Sequence, residues 1–108
     1  MGTEYKIQSE TLNFQPEILH PLRNAKSFWK VDEEYGNYFL GRVENSEWPE
    51  VMIWTKDGAI GVTINSTPRI AWLDVKKFVD DIRRNCGPVS IIDWDSEEDR
   101  ESEFLAGD

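Results

Sequence analysis

The chain has 108 residues, of which 39% are hydrophobic and 31% charged, and its formal net charge is −9. This length suits one domain with a single core, and five tryptophans, five phenylalanines and three tyrosines are too many for a wholly disordered chain. Nucleic acid and anionic lipid attract proteins with an excess of lysine and arginine, so the charge argues against direct binding to either. A positively charged protein surface is the partner that electrostatics favours.

Cysteine and histidine usage limits the chemistry further. Cys86 is the single cysteine and His20 the single histidine, so neither an internal disulfide nor a Cys/His zinc set is available. A reducing, cytoplasmic location is the expectation. No stretch approaches the roughly 20 apolar residues that span a bilayer, and the first residues lack the apolar core of a signal peptide. We therefore predict no membrane association and no cofactor, and the sequence leaves the oligomeric state open.

The first 26 residues are predicted to be irregular. Pro16 and Pro21 prevent a long helix between them and leave room for one helical turn at most. From Phe28 onward, short runs of strand-forming residues alternate with turn residues, which is typical of a sheet.

A hairpin is the clearest local signal. Two apolar runs, 51–56 and 59–65, are joined at Asp57 and Gly58, and glycine permits the left-handed backbone that a tight turn needs. Alternation places Val51 and Ile53 on one face of the first strand, with Met52 and Trp54 on the other. Residues 38–44 and 68–73 are predicted as two further strands, the second of them containing Trp72.

One helix is predicted over residues 74–86. Asp74 is a suitable N-cap, Gly87 and Pro88 are suitable terminators, and the apolar side chains between them recur at helical spacing. Extended structure resumes at 88–93. The order of strands, helix and strand predicts an α+β fold, a single domain over residues 1–108 with a mostly antiparallel sheet and one principal helix on one face.

Candidate catalytic and metal-binding residues lack the partners that such chemistry requires. His20 has no nearby nucleophile or acid in sequence, and Cys86 closes the apolar stripe of the helix. Asp93 and Asp95 share one side of a strand, as a glycosidase pair would, but no apolar pocket is evident beside them. The acids from Asp93 to Asp99 match alternate positions of a calcium loop, yet the required glycine and final glutamate are missing. No catalytic residue is predicted.

Residues 93–103, DWDSEEDRESE, carry seven carboxylates and one arginine. Such a run is a solvated tail, a metal loop or a surface for a positive partner. Because Phe104, Leu105 and Ala106 follow it as an apolar anchor, we predict an ordered acidic surface. The 93–108 segment is therefore treated as part of the domain.

Two tryptophans lie in acidic surroundings. Trp94 is flanked by Asp93 and Asp95, and Trp48 lies in a turn between Glu47 and Glu50. An exposed aromatic ringed by acids is typical of a binding hot spot for a basic partner, although packing of Trp94 back onto the sheet is an equal alternative. The predicted partner-binding residues are Asp93, Trp94, Asp95, Glu97, Glu98, Asp99, Glu101, Glu103 and Trp48.

A small, acidic α+β chain with Trp-rich strands and an acidic cluster at 93–103 resembles the immunity proteins of bacterial polymorphic toxin systems, including contact-dependent growth inhibition. The resemblance is one of class and rests on no family motif. It implies a non-enzymatic inhibitor that neutralises a cognate toxin domain, often a basic nuclease, by covering its active site or an exosite.

Two other classes stay open. A phage-encoded inhibitor that mimics nucleic acid, such as an anti-CRISPR protein, would use the same acids against a nucleic-acid channel. A small ligand-binding or hydrolytic α+β domain would instead have a deep pocket containing His20 or Asp93.

Overall fold

The computed structural model describes residues 3–65 and 70–106, with the backbone alone for Leu105 and Ala106. Within these ranges six strands form one sheet. The strands are β1 (Thr3–Gln8), β2 (Phe28–Asp32), β3 (Asn37–Leu40), β4 (Val51–Lys56), β5 (Ala59–Ile64) and β6 (Ser90–Asp93). The helices are α1 (Ile70–Cys86) and α2 (Glu101–Ala106), and a 3-10 helix occupies Pro16–Asn24.

All neighbouring strands are antiparallel, in the order β2-β3-β4-β5-β1-β6. The predicted hairpin of β4 and β5 is confirmed, with Lys56 paired to Ala59 across Asp57 and Gly58. Its two turn residues both have positive φ, 53° and 80°. The α+β class, a mostly antiparallel sheet with one principal helix, is therefore correct.

The core lies between α1 and one face of the sheet. Buried side chains from alternate strand positions, such as Ile53 and Val62, join Val75, Phe78 and Val79 of α1 in one cluster. Leu19 and Leu22 of the 3-10 helix belong to the same cluster, so this helix and α1 cover the same sheet face. The predicted alternation in β4 is confirmed, since Val51 and Ile53 are buried while Met52 and Trp54 are only partly covered.

The prediction of an irregular segment over residues 1–26 is wrong. Thr3–Gln8 forms β1, which lies between β5 and β6 and pairs with both. Tyr5 and Ile7 point to the core in the period-two pattern of a strand. The nine-residue 3-10 helix also exceeds the single turn expected: Pro16 occupies its first position, where no amide hydrogen bond is needed, and Pro21 lies inside it without ending it.

The predicted start of the principal helix is also wrong. Helix α1 begins at Ile70, so Trp72 is helical and Asp74 is not an N-cap. The Asp74 carboxylate instead accepts hydrogen bonds from the amide and hydroxyl of Ser27, at 2.9 and 2.5 Å. Ile70–Leu73 is a short apolar run, and such a run is compatible with either a strand or a helix. The rest of the strand predicted at 68–73 lies outside the described residues.

Strand β3 ends at Leu40, four residues before the predicted end. Gly41 has a φ of 70°, and its amide bonds to the Ser27 carbonyl at 2.6 Å, which turns the chain out of the sheet. Within the described part of the chain, no helix is long and apolar enough to cross a membrane.

Candidate partner-binding surface

The segment 93–103, here called the acidic rim, folds back along the free edge of β6. Asp93 donates its amide to the Glu98 carbonyl at 2.8 Å, and Arg100 donates its amide to the Ile91 carbonyl at 2.9 Å. The Asp93 carboxylate accepts hydrogen bonds from the amides of Asp95 and Ser96, at 2.9 and 3.0 Å. These bonds stabilise the turn between β6 and the segment that returns along its edge. The rim therefore covers a sheet edge that would otherwise be unpaired.

Phe104 anchors the end of the rim. Its ring is completely buried and contacts Tyr5 and Trp72, with ring centroids 5.3 and 4.6 Å away. The indole nitrogen of Trp72 donates to the Phe104 carbonyl at 3.2 Å, and the Tyr5 hydroxyl donates to Glu103 at 3.0 Å. The ordering predicted from the residues after the rim is thus explained by Phe104, while the Leu105 and Ala106 side chains lie outside the described residues.

Three cations neutralise part of the rim. Lys6 lies 3.5 Å from Glu97, Arg83 pairs with Glu101, and Arg100 approaches both Asp93 and Glu98 at 3.8 and 3.4 Å. Seven carboxylates and these three cations leave a local net charge of −4. Arg83 also donates to the Val89 carbonyl at 3.1 Å, so its side chain links α1 to the residue before β6.

Two ionisable groups, Asp93 of β6 and Tyr5 of the neighbouring β1, have pKa values that differ from their ordinary ones. The amides of Ser96 and Asp95 lower the pKa of the Asp93 carboxyl, because they bond to its charged form. Burial raises the pKa of Tyr5 to about 12, and the hydrogen bond to Glu103 contributes in the same direction. Asp93 therefore holds the turn as a carboxylate, and Tyr5 holds Glu103 as a neutral donor.

Trp94 lies against the sheet face that is opposite the helices. Its ring centroid is 5.7 Å from that of Trp54, and the Lys6 ammonium lies 5.4 Å from it. The Trp94 amide donates to the Glu4 carbonyl at 3.2 Å, which places Trp94 next to β1. Trp94 is partly buried, so packing onto the sheet and partial exposure occur together.

The same face carries a second aromatic group at its far edge, here called the basic-aromatic cluster, formed by Trp29, Lys30, Phe39 and Arg42. The Trp29 and Phe39 ring centroids are 5.7 Å apart. The Lys30 ammonium lies 4.8 Å from the Trp29 ring, and the Arg42 guanidinium lies 5.0 Å from it. Both arrangements are within the range of cation-π attraction.

Trp48 is separate from the acidic rim. It is 67% exposed and lies in the connection between β3 and β4, where its carbonyl accepts the Val43 amide at 2.8 Å. This connection and the rim lie at the same end of the sheet. Strand β4, which follows Trp48, is separated from β6 by three strand spacings of about 4.8 Å, or roughly 14 Å across the sheet.

The structure brings the predicted residues of the rim together and adds several that sequence reasoning missed. Glu101 and Glu103 are held by Arg83 and Tyr5, and Asp99 accepts the Glu101 amide at 2.9 Å at the start of α2. The exposed acids are Asp95, Glu97, Glu98, Asp99 and Glu103. The missed residues are Lys6, Trp54, Gly61, Arg83 and Arg100. A signal for Trp54 existed, since the hairpin register pairs it with Gly61.

His20 is exposed on the 3-10 helix. A groove of about 580 Å³ lies between this helix and α1, beside the exposed Ile70 and Leu73, and its lining includes neither His20 nor Asp93. Among the described residues, no group of three or more histidines, cysteines or acids is placed to hold a metal ion.

The sequence matches no protein-family model and no curated protein, and the fold matches no solved structure.

Proposed function

We propose that this chain is a non-enzymatic inhibitor of the immunity-protein type, which binds and neutralises a basic bacterial toxin domain. The observation that carries the proposal is the position of the acidic rim, an ordered charged segment that borders the partly exposed pair Trp54 and Trp94. An apolar anchor inside a charged border is the arrangement that concentrates binding energy at protein interfaces.

The rim supplies the long-range part of the interaction. Its carboxylates keep a local charge of −4 after pairing with Lys6, Arg83 and Arg100. Charges at an exposed surface act over about 8 Å at physiological ionic strength, so they attract and orient a basic partner during approach. Asp95, Glu97 and Glu98 are the rim acids best suited to this role, because they are exposed and do not hold α2 in place.

The tryptophan pair supplies the short-range part. Trp94 is restrained by Trp54, by Lys6 and by its own amide bond to β1, so little side-chain entropy is lost when a partner covers it. The Lys6 ammonium contacts both groups, at 5.4 Å from the Trp94 ring centroid and 3.5 Å from the Glu97 carboxylate. A guanidinium or ammonium of the toxin suits the same combination of aromatic face and carboxylate.

The proposal is tested by the inhibition of an identified toxin. The toxin is obtained by capture on the immobilised chain from the source bacterium, is purified, and its own activity is then measured. Addition of one equivalent of wild-type chain is expected to abolish that activity. A variant with Asp95→Asn, Glu97→Gln and Glu98→Gln is expected to need a much higher concentration.

A matched control carries Glu10→Gln, Glu17→Gln and Glu34→Gln, three exposed acids outside the rim. This control changes the net charge by the same amount and is expected to inhibit like wild type. Equally weakened inhibition by both triple variants would show that total charge, and not the rim, matters, whereas wild-type inhibition by both would contradict a role for the rim. A captured partner whose activity is unchanged by wild-type chain would overturn the assignment as an inhibitor.

A further inference from the structure

The sheet face opposite the helices departs from the alternation of a solvated sheet. An antiparallel sheet with one wet face normally carries polar side chains there. Here Phe39, Met52 and Trp54 occupy that face on two adjacent strands, and Trp29 and Trp94 lie at its two edges. All five side chains are only partly buried, and the described helices lie on the other face. This face is suited to being covered by a second layer.

Oppositely charged side chains lie at the two edges of this face. The β2 edge carries Lys30 within the basic-aromatic cluster, and the β6 edge carries Glu97 of the acidic rim. Five strand spacings of about 4.8 Å place these edges roughly 24 Å apart. The charges are therefore separated widely enough for each edge to contact a different part of a partner.

The strand register aligns residues of both sheet edges in one row that crosses the strands. The row passes from Lys30 through Phe39, Met52 and Thr63 to Glu4, each residue being the register partner of the next. Trp94 continues the row, since its amide bonds to the Glu4 carbonyl. A two-fold axis parallel to the strands would reverse this row upon itself and set Lys30 of one copy over Trp94 of the other.

Charge selects this symmetry over the alternative. A two-fold axis perpendicular to the strands, within the interface, would set β6 over β6 and oppose the two acidic rims. The parallel axis sets β6 over β2 at both ends, so Lys30 meets Trp94 and Glu97. Lys6 already makes this kind of contact within one chain, with its ammonium 5.4 Å from the Trp94 ring and 3.5 Å from Glu97.

We infer that this chain forms a two-fold symmetric dimer through the sheet face opposite α1, with Lys30 of each copy seated on Trp94 and Glu97 of the other. The inference stands on the charges and register of this sheet and does not rest on the proposed function. A toxin bound at Trp94 and a second copy of the chain would compete for the same surface.

The size of the face predicts a weak association. Strands of about five residues rise roughly 16 Å, so the sheet offers roughly 400 Å² per copy, below the about 800 Å² per partner of a stable complex. The dimer should therefore depend on concentration and dissociate readily. It should stop at two copies, because an isologous contact is closed.

The test is sedimentation velocity over roughly 10 μM to 1 mM, a range that spans weak affinities. Wild type is expected to shift from monomer to dimer. Lys30→Glu and Glu97→Lys should each raise the dimer Kd by about tenfold or more, because each places like charges together at both ends. The double variant Lys30→Glu/Glu97→Lys, and an equimolar mixture of the two single variants, should recover the dimer.

Lys77→Glu is the control, since it makes the same charge change on the exposed surface of α1. It is expected to dimerise like wild type, and circular dichroism checks that every variant is folded. A wild-type chain that stays monomeric throughout, species larger than a dimer, or a double variant without recovery would each overturn the inference. If the chain stays monomeric and still inhibits its toxin, this sheet face binds the toxin and not a second copy of the chain.

Discussion

The indole of Trp54 lies directly against Gly61, its register partner on the neighbouring strand. A Cβ atom built on Gly61 would be 2.2 Å from Cε2 and 2.3 Å from Cζ2 of that indole. The absence of a side chain at Gly61 thus lets Trp54 lie flat and reach the Trp94 ring, 5.7 Å away. This contact ties the hairpin of β4 and β5 to the acidic rim.

Gly61→Ala is expected to displace Trp54 from the sheet and separate it from Trp94. The loss of an aromatic pair costs about 1 kcal/mol, so the protein should stay folded at room temperature. The exciton couplet that the Trp54 and Trp94 indoles give in far-ultraviolet circular dichroism should lose most of its intensity. Gly36→Ala is the control, because it adds the same methyl group where nothing lies within 4 Å of a Cβ; its φ of 72° costs stability by backbone strain and not by displacing Trp54. An unchanged spectrum in Gly61→Ala would contradict this packing.

Phe104→Ala is expected to lower the free energy of unfolding by about 3 to 5 kcal/mol, as for other fully buried aromatic side chains. The physical cause is the cavity left beside Tyr5 and Trp72. Chemical denaturation measures the change, and hydrogen exchange should show faster exchange at the Asp93 and Arg100 amides. Leu73→Ala removes a side chain that is 60% exposed and should cost far less. Similar losses in the two variants would refute the anchoring role of Phe104.

The Tyr5 hydroxyl is expected to ionise near pH 12, above its ordinary pKa of 10.0. Since folding raises this pKa, the neutral hydroxyl stabilises the fold below pH 10, and its contribution is lost as the pH rises toward 12. The tyrosinate absorbance of wild type minus that of Tyr5→Phe isolates this titration. Glu103→Gln should lower the Tyr5 pKa. A difference curve centred at 10 would contradict the buried hydrogen bond.

The Asp93 carboxylate is expected to contribute stability at neutral pH that is lost in acid. Its pKa in the folded chain lies below the ordinary value of 3.8, because the Ser96 and Asp95 amides bond to the charged form. The stability difference between wild type and Asp93→Asn should therefore be constant above that value and shrink as the pH falls through the folded pKa. Denaturant titrations from neutral to acidic pH measure this difference. If the stability difference between wild type and Asp93→Asn does not change with pH, the shape of the Asp93 side chain, and not its charge, stabilises the turn.

The sequence predicted the parts of the fold that rest on local periodicity. The β4 and β5 hairpin is specified by alternation around Asp57 and Gly58, and the fold class follows from the order of the elements. Strand β1 was missed because Tyr5 and Ile7 are only two apolar positions, and the pairing that makes them a strand comes from β5 and β6, distant in sequence. The start of α1 was missed because Ile70–Leu73 carries no period of its own.

The candidate site was predicted in composition but not in geometry. The acidic rim and Trp94 were identifiable from their local sequence, and Phe104 from its position after the rim. Lys6 and Arg83 were not, because they meet the rim through contacts between elements that are far apart in the chain. The number of free charges, and hence the strength of attraction, can be known only when those contacts are known.

The interface itself is tested most directly by the rates of association and dissociation with the captured toxin, measured at several salt concentrations. The triple variant of Asp95, Glu97 and Glu98 should associate more slowly than wild type with a weaker salt dependence, while Trp94→Ala should mainly dissociate faster, at a cost of about 2 kcal/mol or more. Trp48→Ala, in the connection between β3 and β4, reports whether the predicted second anchor contributes. If the triple variant and Trp94→Ala leave both rates and their salt dependence at the wild-type values, the acidic rim is not an interface.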